Sequence, residues 1–148
     1  MALFSLSRGG VTMSASADLL TVIAAANRKF KVVDMVFAGN GGTSASAAYC
    51  EVGLYLSTGG TTGGGALAPK KWETDEPTQG FSNFTTWVAQ PALSGDPYYR
   101  IGFQAYGGIF SKPIMPQRDL IFRNAEQLSI RPILGASAVT LTLVVDEI

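Results

Sequence analysis

The sequence predicts an all-β fold: a single jelly-roll β-sandwich of about 8–10 antiparallel strands, preceded by an N-terminal arm. Three observations carry this expectation. Apolar and polar residues alternate with period two in several segments, Ala48–Ser57 and Ala138–Ile148 most clearly. Glycine, proline and asparagine punctuate the chain about every ten residues, the spacing of short strands joined by turns. No segment keeps a 3.6-residue period long enough for a helix. With strands at both ends of the 17–148 domain, closing two sheets on each other leaves few free edges, which suits a jelly roll.

The elements follow in order. Residues 1–16 are small and weakly patterned and read as an arm. Asp18–Ala25 (DLLTVIAA) is apolar on both faces, as a strand buried between layers would be. Asn27-Arg28 makes a tight turn. In Phe30–Ala38, Phe30 and Val32 share one phase while Val33, Met35 and Phe37 share the other. A strand changes face only by inserting a residue, so a β-bulge is expected near Val32-Val33. Asn40-Gly41-Gly42 marks a turn.

Ala48–Ser57 then points Cys50, Val52, Leu54 and Leu56 inward. Gly59–Gly65 holds five glycines in seven residues, and the backbone entropy cost predicts an irregular hinge. A strand is expected around Phe84–Val88, closed by Pro91 and Ser94-Gly95-Asp96-Pro97. Tyr98–Tyr106 turns Tyr99, Ile101, Phe103 and Ala105 inward. Gly107-Gly108 turns the chain, and Pro113 makes Ile109–Met115 an edge strand. Asp119–Arg123 precedes Glu126–Leu134, where Leu128, Ile130, Pro132 and Leu134 share a face and Pro132 argues for an edge or a bulge. The last strand, Ala138–Ile148, buries Val139, Leu141, Leu143 and Val145.

Composition bounds the function. The 148 residues are 47% apolar and only 15% charged, so some of the surface is expected to lie under other protein. Net charge is zero, which gives no electrostatic reason to bind nucleic acid or anionic lipid. The apolar run Leu19–Ala26 is less than half a membrane span. The opening residues do not read as a signal peptide, so synthesis and folding in a cytoplasm are expected. One cysteine, Cys50, permits no intrachain disulfide and reads as a core residue.

Chemistry is sparse. The chain has no histidine, which removes Ser-His-Asp and Cys-His nucleophile systems and most zinc and copper sites. Gly63-Gly64-Gly65-Ala66-Leu67-Ala68 fits G-x-G-x-x-A, but Pro69 follows where a helix must open to meet a pyrophosphate. Glu73, Asp75 and Glu76 lie on one turn, whereas a glycosidase needs carboxylates across a cleft. Their spacing matches no calcium motif, and a solvated turn beside Lys70-Lys71 is the expectation. Asn83-Phe84-Thr85 fits the glycosylation triplet, which has no meaning without secretion. No cofactor, metal or catalytic residue is expected.

Tyr49, Tyr55, Tyr98 and Tyr106 all fall on the phase opposite the core set. They fit a subunit interface, which the low charge favours, or ordinary surface and second-sheet packing, or a ligand platform.

Several segments resemble, in order, a family of small bacteriophage structural proteins. These are Leu20–Val32 (LTVIAAANRKFKV), Val52–Leu56 (VGLYL), the Thr/Gly-rich stretch with Ala66–Lys71 (ALAPKK), Arg118–Phe122 (RDLIF) and Val139–Glu147 (VTLTLVVDE). The chain thus resembles the jelly-roll capsid decoration, or cement, proteins of tailed phages. The resemblance implies a homotrimer on the outer capsid surface that clamps neighbouring capsomers, with the major capsid protein as partner and the virion as location. It brings no active-site motif. The long glycine hinge followed by Trp72 departs from the pattern. Arg8 on the arm, with Lys70, Lys71 and Trp72, are the candidate capsid contacts. On this reading, deleting residues 1–12 should weaken particle binding without unfolding the domain. The alternative is a tail or fibre-tip module that recognises host-surface glycan through its tyrosines.

Overall fold

A computed structural model describes residues 2–40, 49–75, 77–105, 109–113, 120–135 and 137–148. Among these the chain is all-β. Its strands are β1 (Ala2–Thr12), β2 (Leu20–Ile23), β3 (Lys29–Gly39), β4 (Tyr49–Thr58), β5 (Thr61–Gly64), β6 (Lys70–Lys71) and β7 (Ser82–Phe84). There follow β8 (Thr86–Ala89), β9 (Ala92–Leu93), β10 (Tyr99–Gln104), β11 (Ile109–Pro113), β12 (Leu120–Arg123), β13 (Gln127–Leu134) and β14 (Ala138–Glu147).

Two antiparallel sheets face each other. The first runs β11-β3-β14-β1-β6, with β12 beside β11 on the same edge of β3. The second runs β10-β4-β13-β2-β7, with β9 also on β4. The pairs β1–β14, β2–β13, β3–β11/β12 and β4–β10 nest as one long antiparallel hairpin. Rolling that hairpin up adds the β3–β14 and β4–β13 pairs and gives the jelly roll. Between β4 and β10 the chain makes an excursion, β5–β9, in which β5 and β8 form a small separate sheet.

The core fills the space between the sheets, where inward residues of both alternate. Phe4, Leu6, Phe30, Val32, Phe37, Leu54, Leu128, Ile130 and Leu143 are fully buried there. At one end Phe81 meets Phe4 edge-on at 5.5 Å and lies 6.2 Å from Phe30, which stacks on Phe122 at 5.2 Å. Towards the other sheet pair, Phe37 stacks on Phe103 across the core at 6.2 Å.

The predicted bulge is present. Val144 faces Asp34 and Val145 faces Val32, so Val33 is the extra residue. Both Val32 and Met35 can then point into the core. Pro132 also sits at an irregularity: it pairs with Val52, Leu134 pairs with Glu51, and Ile133 is skipped. That skip turns Leu134 out of the core, 52% exposed, against the expected alternation.

Two expectations are corrected. Residues 2–12 are not an arm but the strand β1, paired along its length with β14. Ala2, Phe4 and Leu6 are buried, and their alternation with Leu3, Ser5 and Ser7 is short enough to pass for a weak pattern. Nor is Gly59–Gly65 wholly irregular, because Thr61–Gly64 is strand β5 against β8. Its glycines serve close approach. A Cβ on Gly63 would lie 2.6 Å from the Phe84 ring, and one on Gly60 would lie 2.8 Å from the Trp87 ring. The turn at Asn40-Gly41-Gly42 and the turn at Gly107-Gly108 extend outside the described residues.

Candidate functional site

The outer face of the second sheet carries a buried polar network, and sequence reasoning missed it. Outward positions on β2, β4 and β13 are Thr21, Ser57, Gln127, Ser129 and Arg131. The β5–β9 excursion folds back over them. Asp18, at the entry to β2, is 3% exposed and bonds three of them directly, Thr21, Ser129 and Arg131. Arg131 Nε donates to Asp18 Oδ1 at 2.6 Å. Thr21 Oγ1 donates to Oδ2 at 2.7 Å and Ser129 Oγ to the same oxygen at 2.6 Å. The Ser57 and Ser129 hydroxyls are 2.7 Å apart.

The excursion is tied to the same hub. Trp87 Nε1 donates to Thr21 Oγ1 at 2.9 Å, Arg131 Nη2 to the Pro91 carbonyl at 2.9 Å, and the Asp18 amide to Gln90 Oε1 at 2.9 Å. Ser57 and Ser129 are closed to solvent and their oxygens are spent within the network. The arrangement fastens the excursion and offers no exposed nucleophile. The signal in the sequence was an aspartate placed just before an apolar strand, with hydroxyl residues at outward positions of otherwise apolar strands.

A second staple sits at the far end of β14. Both Glu147 oxygens accept from the Gly80 amide, at 3.0 and 2.8 Å, and Oε1 pairs with Arg28 at 3.1 Å. Asn83, from the glycosylation triplet, is buried, and its side-chain amide bonds both the Leu67 amide and the Leu67 carbonyl. It holds a loop and presents no acceptor for sugar.

Lys70 and Lys71 form β6, an edge strand on β1 opposite Ser5 and Phe4. The Trp72 amide donates to the Leu3 carbonyl at 3.1 Å. The three side chains are therefore presented from a pinned edge, and Trp72 is 62% exposed. Arg8 is not with them. It lies three residues beyond Ser5 on β1, about 10 Å along the strand, and shares the inward phase of Phe4 and Leu6. Its Nη1 donates to the carbonyls of Leu19, at 2.5 Å, and Thr85, at 3.3 Å.

Three of the four tyrosines, Tyr49, Tyr55 and Tyr98, lie among the described residues, on the paired strands β4 and β10 or next to them. Tyr49 and Tyr55 lie on the outer face of β4. Tyr49 is about half exposed, lies against Gly102 of β10, and donates to Glu51 at 3.5 Å. Tyr55 is half-buried over Gly53. Tyr98, at the start of β10, sets its ring edge-on to Phe122 of the opposite sheet at 6.1 Å. Tyr106 lies outside the described residues. Of the acidic turn, Glu73 and Asp75 are exposed and Glu76 lies outside the described residues. No group of three or more metal-ligating side chains occurs among the described residues. Cys50 is buried, and burial pushes its thiol pKa up against the opposing hydrogen bonds of Ser137. No described helix is long and apolar enough to cross a membrane.

No family model matches the sequence, and no curated protein matches it. Among solved structures, the chain is similar to a structure of infectious bursal disease virus Gx strain, at 11% identity and a TM-score of 0.23 over 98% of this chain. A crystal structure of the infectious bursal disease virus VP2 subviral particle gives 9% identity and a TM-score of 0.19 over 98% of this chain. The chain spans 40% of the length of each of those chains.

Proposed function

We propose that the chain is a virion structural protein, a capsid decoration or cement protein that binds the outer capsid surface as a homotrimer and stabilises the head by bridging capsomers. The observation that carries this reading is the pinned edge Lys70-Lys71-Trp72. A large aromatic with 62% of its surface in water, held by backbone pairing to β1, loses little freedom when it docks. The low charge of the chain fits a surface that becomes covered by protein. Such a protein works through contact area and needs no reacting group. Tyr49, Tyr55, Tyr98 and Tyr106 are the candidates for the contact between copies; Tyr49 and Tyr98 are each about half exposed.

The test is a triple variant, Lys70→Ala, Lys71→Ala and Trp72→Ala, mixed with purified capsids that lack the protein. Occupancy should fall at least about tenfold while folding stability moves by no more than about 0.5 kcal/mol, as for exposed positions generally. Unchanged occupancy contradicts the assignment.

The alternative is a tail or fibre-tip module. Tyr49 beside the Arg100–Glu51 ion pair, 3.2 Å, places an aromatic ring next to polar groups, as a sugar platform requires. That reading calls for binding to glycan arrays, which a cement protein does not show.

A further inference from the structure

Beside β1, the link that leads to β2 and the β8 part of the excursion leave a gap. A cleft of about 240 Å³ opens there, lined by Arg8, Thr12, Asp18, Thr86, Trp87 and Gln90 among others. Arg8 is a half-buried cation, and cations taken out of water are ordinarily paired with an anion. Among the described residues none pairs with it: its contacts are the Leu19 and Thr85 carbonyls, both through Nη1. Among the described residues the one carboxylate lining the cleft, Asp18, is committed elsewhere, with Oδ1 on Arg131 and Oδ2 on Thr21 and Ser129.

We propose that this cleft binds a carboxylate, with Arg8 as its charged donor. The two carbonyl contacts fix the guanidinium plane and leave Nη2 and Nε to form the two-pronged contact that a carboxylate accepts. Gln90 adds a donor, because its Oε1 is taken by the Asp18 amide and its NH2 remains. Thr12 and Thr86 line the same space. The volume is below that of typical small-molecule pockets and suits a single acidic group. Burial lowers the Arg8 pKa from its ordinary value, but a guanidinium keeps its charge at neutral pH.

The acid can come from a free dicarboxylate or from a side chain of a protein neighbour. The second source has a physical route. Among the described residues, strand pairing on the outer edge of β1 ends at Ser5, so an extended chain can lie beside Leu6–Thr12.

The site is tested on the isolated protein and so stands or falls independently of the capsid reading. In a Trp72→Phe background, Trp87 is the only tryptophan and lines the cleft. Its emission should respond saturably to glutarate, or to a capped peptide with a single glutamate, at constant ionic strength set with chloride. Arg8→Gln should weaken that response at least about tenfold, and Arg8→Lys, which keeps the charge but loses the fork, by an intermediate factor. Because Arg8 also ties β1 to Leu19 and Thr85, the unmutated protein is followed in parallel by the Arg8 Nε–H resonance, which should shift with the same saturation curve. A tighter peptide supports an acidic side chain as the natural occupant, and tighter glutarate supports a free dicarboxylate. No saturable response, an unmoved Arg8 resonance, or an equal response in folded Arg8→Gln overturns the proposal.

Discussion

The Asp18 side chain is closed to solvent, so its charge is balanced by the protein groups around it. Arg131 balances it at 2.6 Å with only 14% of its own side chain exposed. Asp18→Asn leaves that guanidinium without a counterion, and breaking a buried pair from one side costs about 3–5 kcal/mol. Urea denaturation should show the loss. A change under 1 kcal/mol, on the order of a surface substitution, would mean that the network is not the staple described.

Gly63 tests packing by itself, because it needs no left-handed backbone. Gly63→Ala drives a methyl into the Phe84 ring, which is held against Trp87 at 5.0 Å. Overpacking of this kind should cost about 1–3 kcal/mol. Thermal unfolding of the variant measures it, and an unchanged midpoint contradicts the close approach. Cys50 gives the pH dependence. Its thiol pKa is raised in the folded state from the ordinary value of about 9, so the folded protein holds a proton that the unfolded chain releases first. Stability from this group is complete below the unfolded pKa and is lost as pH rises from there through the folded pKa. Urea midpoints between pH 7 and pH 10 should fall more steeply for the native sequence than for Cys50→Ala.

At the scale of elements, β1 changes what a truncation means. It runs between β14 and β6 and buries Phe4 and Leu6 completely. Deleting residues 1–12 should therefore unfold the domain, with loss of its β circular dichroism, and not merely weaken binding. A folded, stable truncation would show that β14 can end the first sheet alone.

The elements also show what the sequence made legible. The phase change at Val32-Val33 fixed a bulge, because period two permits no other way to bury both Val32 and Met35. The clean alternations of β4, β10 and β14 were readable for the same reason. β1 was not, since its outward residues are small and its apolar set is brief. β5 was not, because glycines that admit Phe84 and Trp87 look the same in sequence as glycines that give flexibility. The Asp18 network joins residues more than 100 positions apart, as Ser129 and Arg131 show, and no local pattern reports such a meeting. Arg8 was read as a capsid contact because residues 1–16 were read as an arm. Its inward phase follows only once Phe4 and Leu6 are known to face the core.

At the scale of the molecule, the jelly roll uses both of its faces differently. The inner faces make the core, and the part of the second sheet's outer face around Thr21 and Arg131 is covered by the β5–β9 excursion that Asp18 fastens. Places open to partners include the edge at Lys70-Lys71 of β6 with Trp72 beside it, the cleft beside β1, and Tyr49 on the outer face of β4. A protein built this way is suited to binding along a surface, and decoration of a capsid is the reading we favour. The most direct measurement is the position of the protein's density in an electron cryomicroscopy map of the purified particle. A repeated coat at capsid symmetry axes, with the β6 edge turned toward the shell, is the expected result. A few copies confined to the tail, or none on the particle, would contradict it.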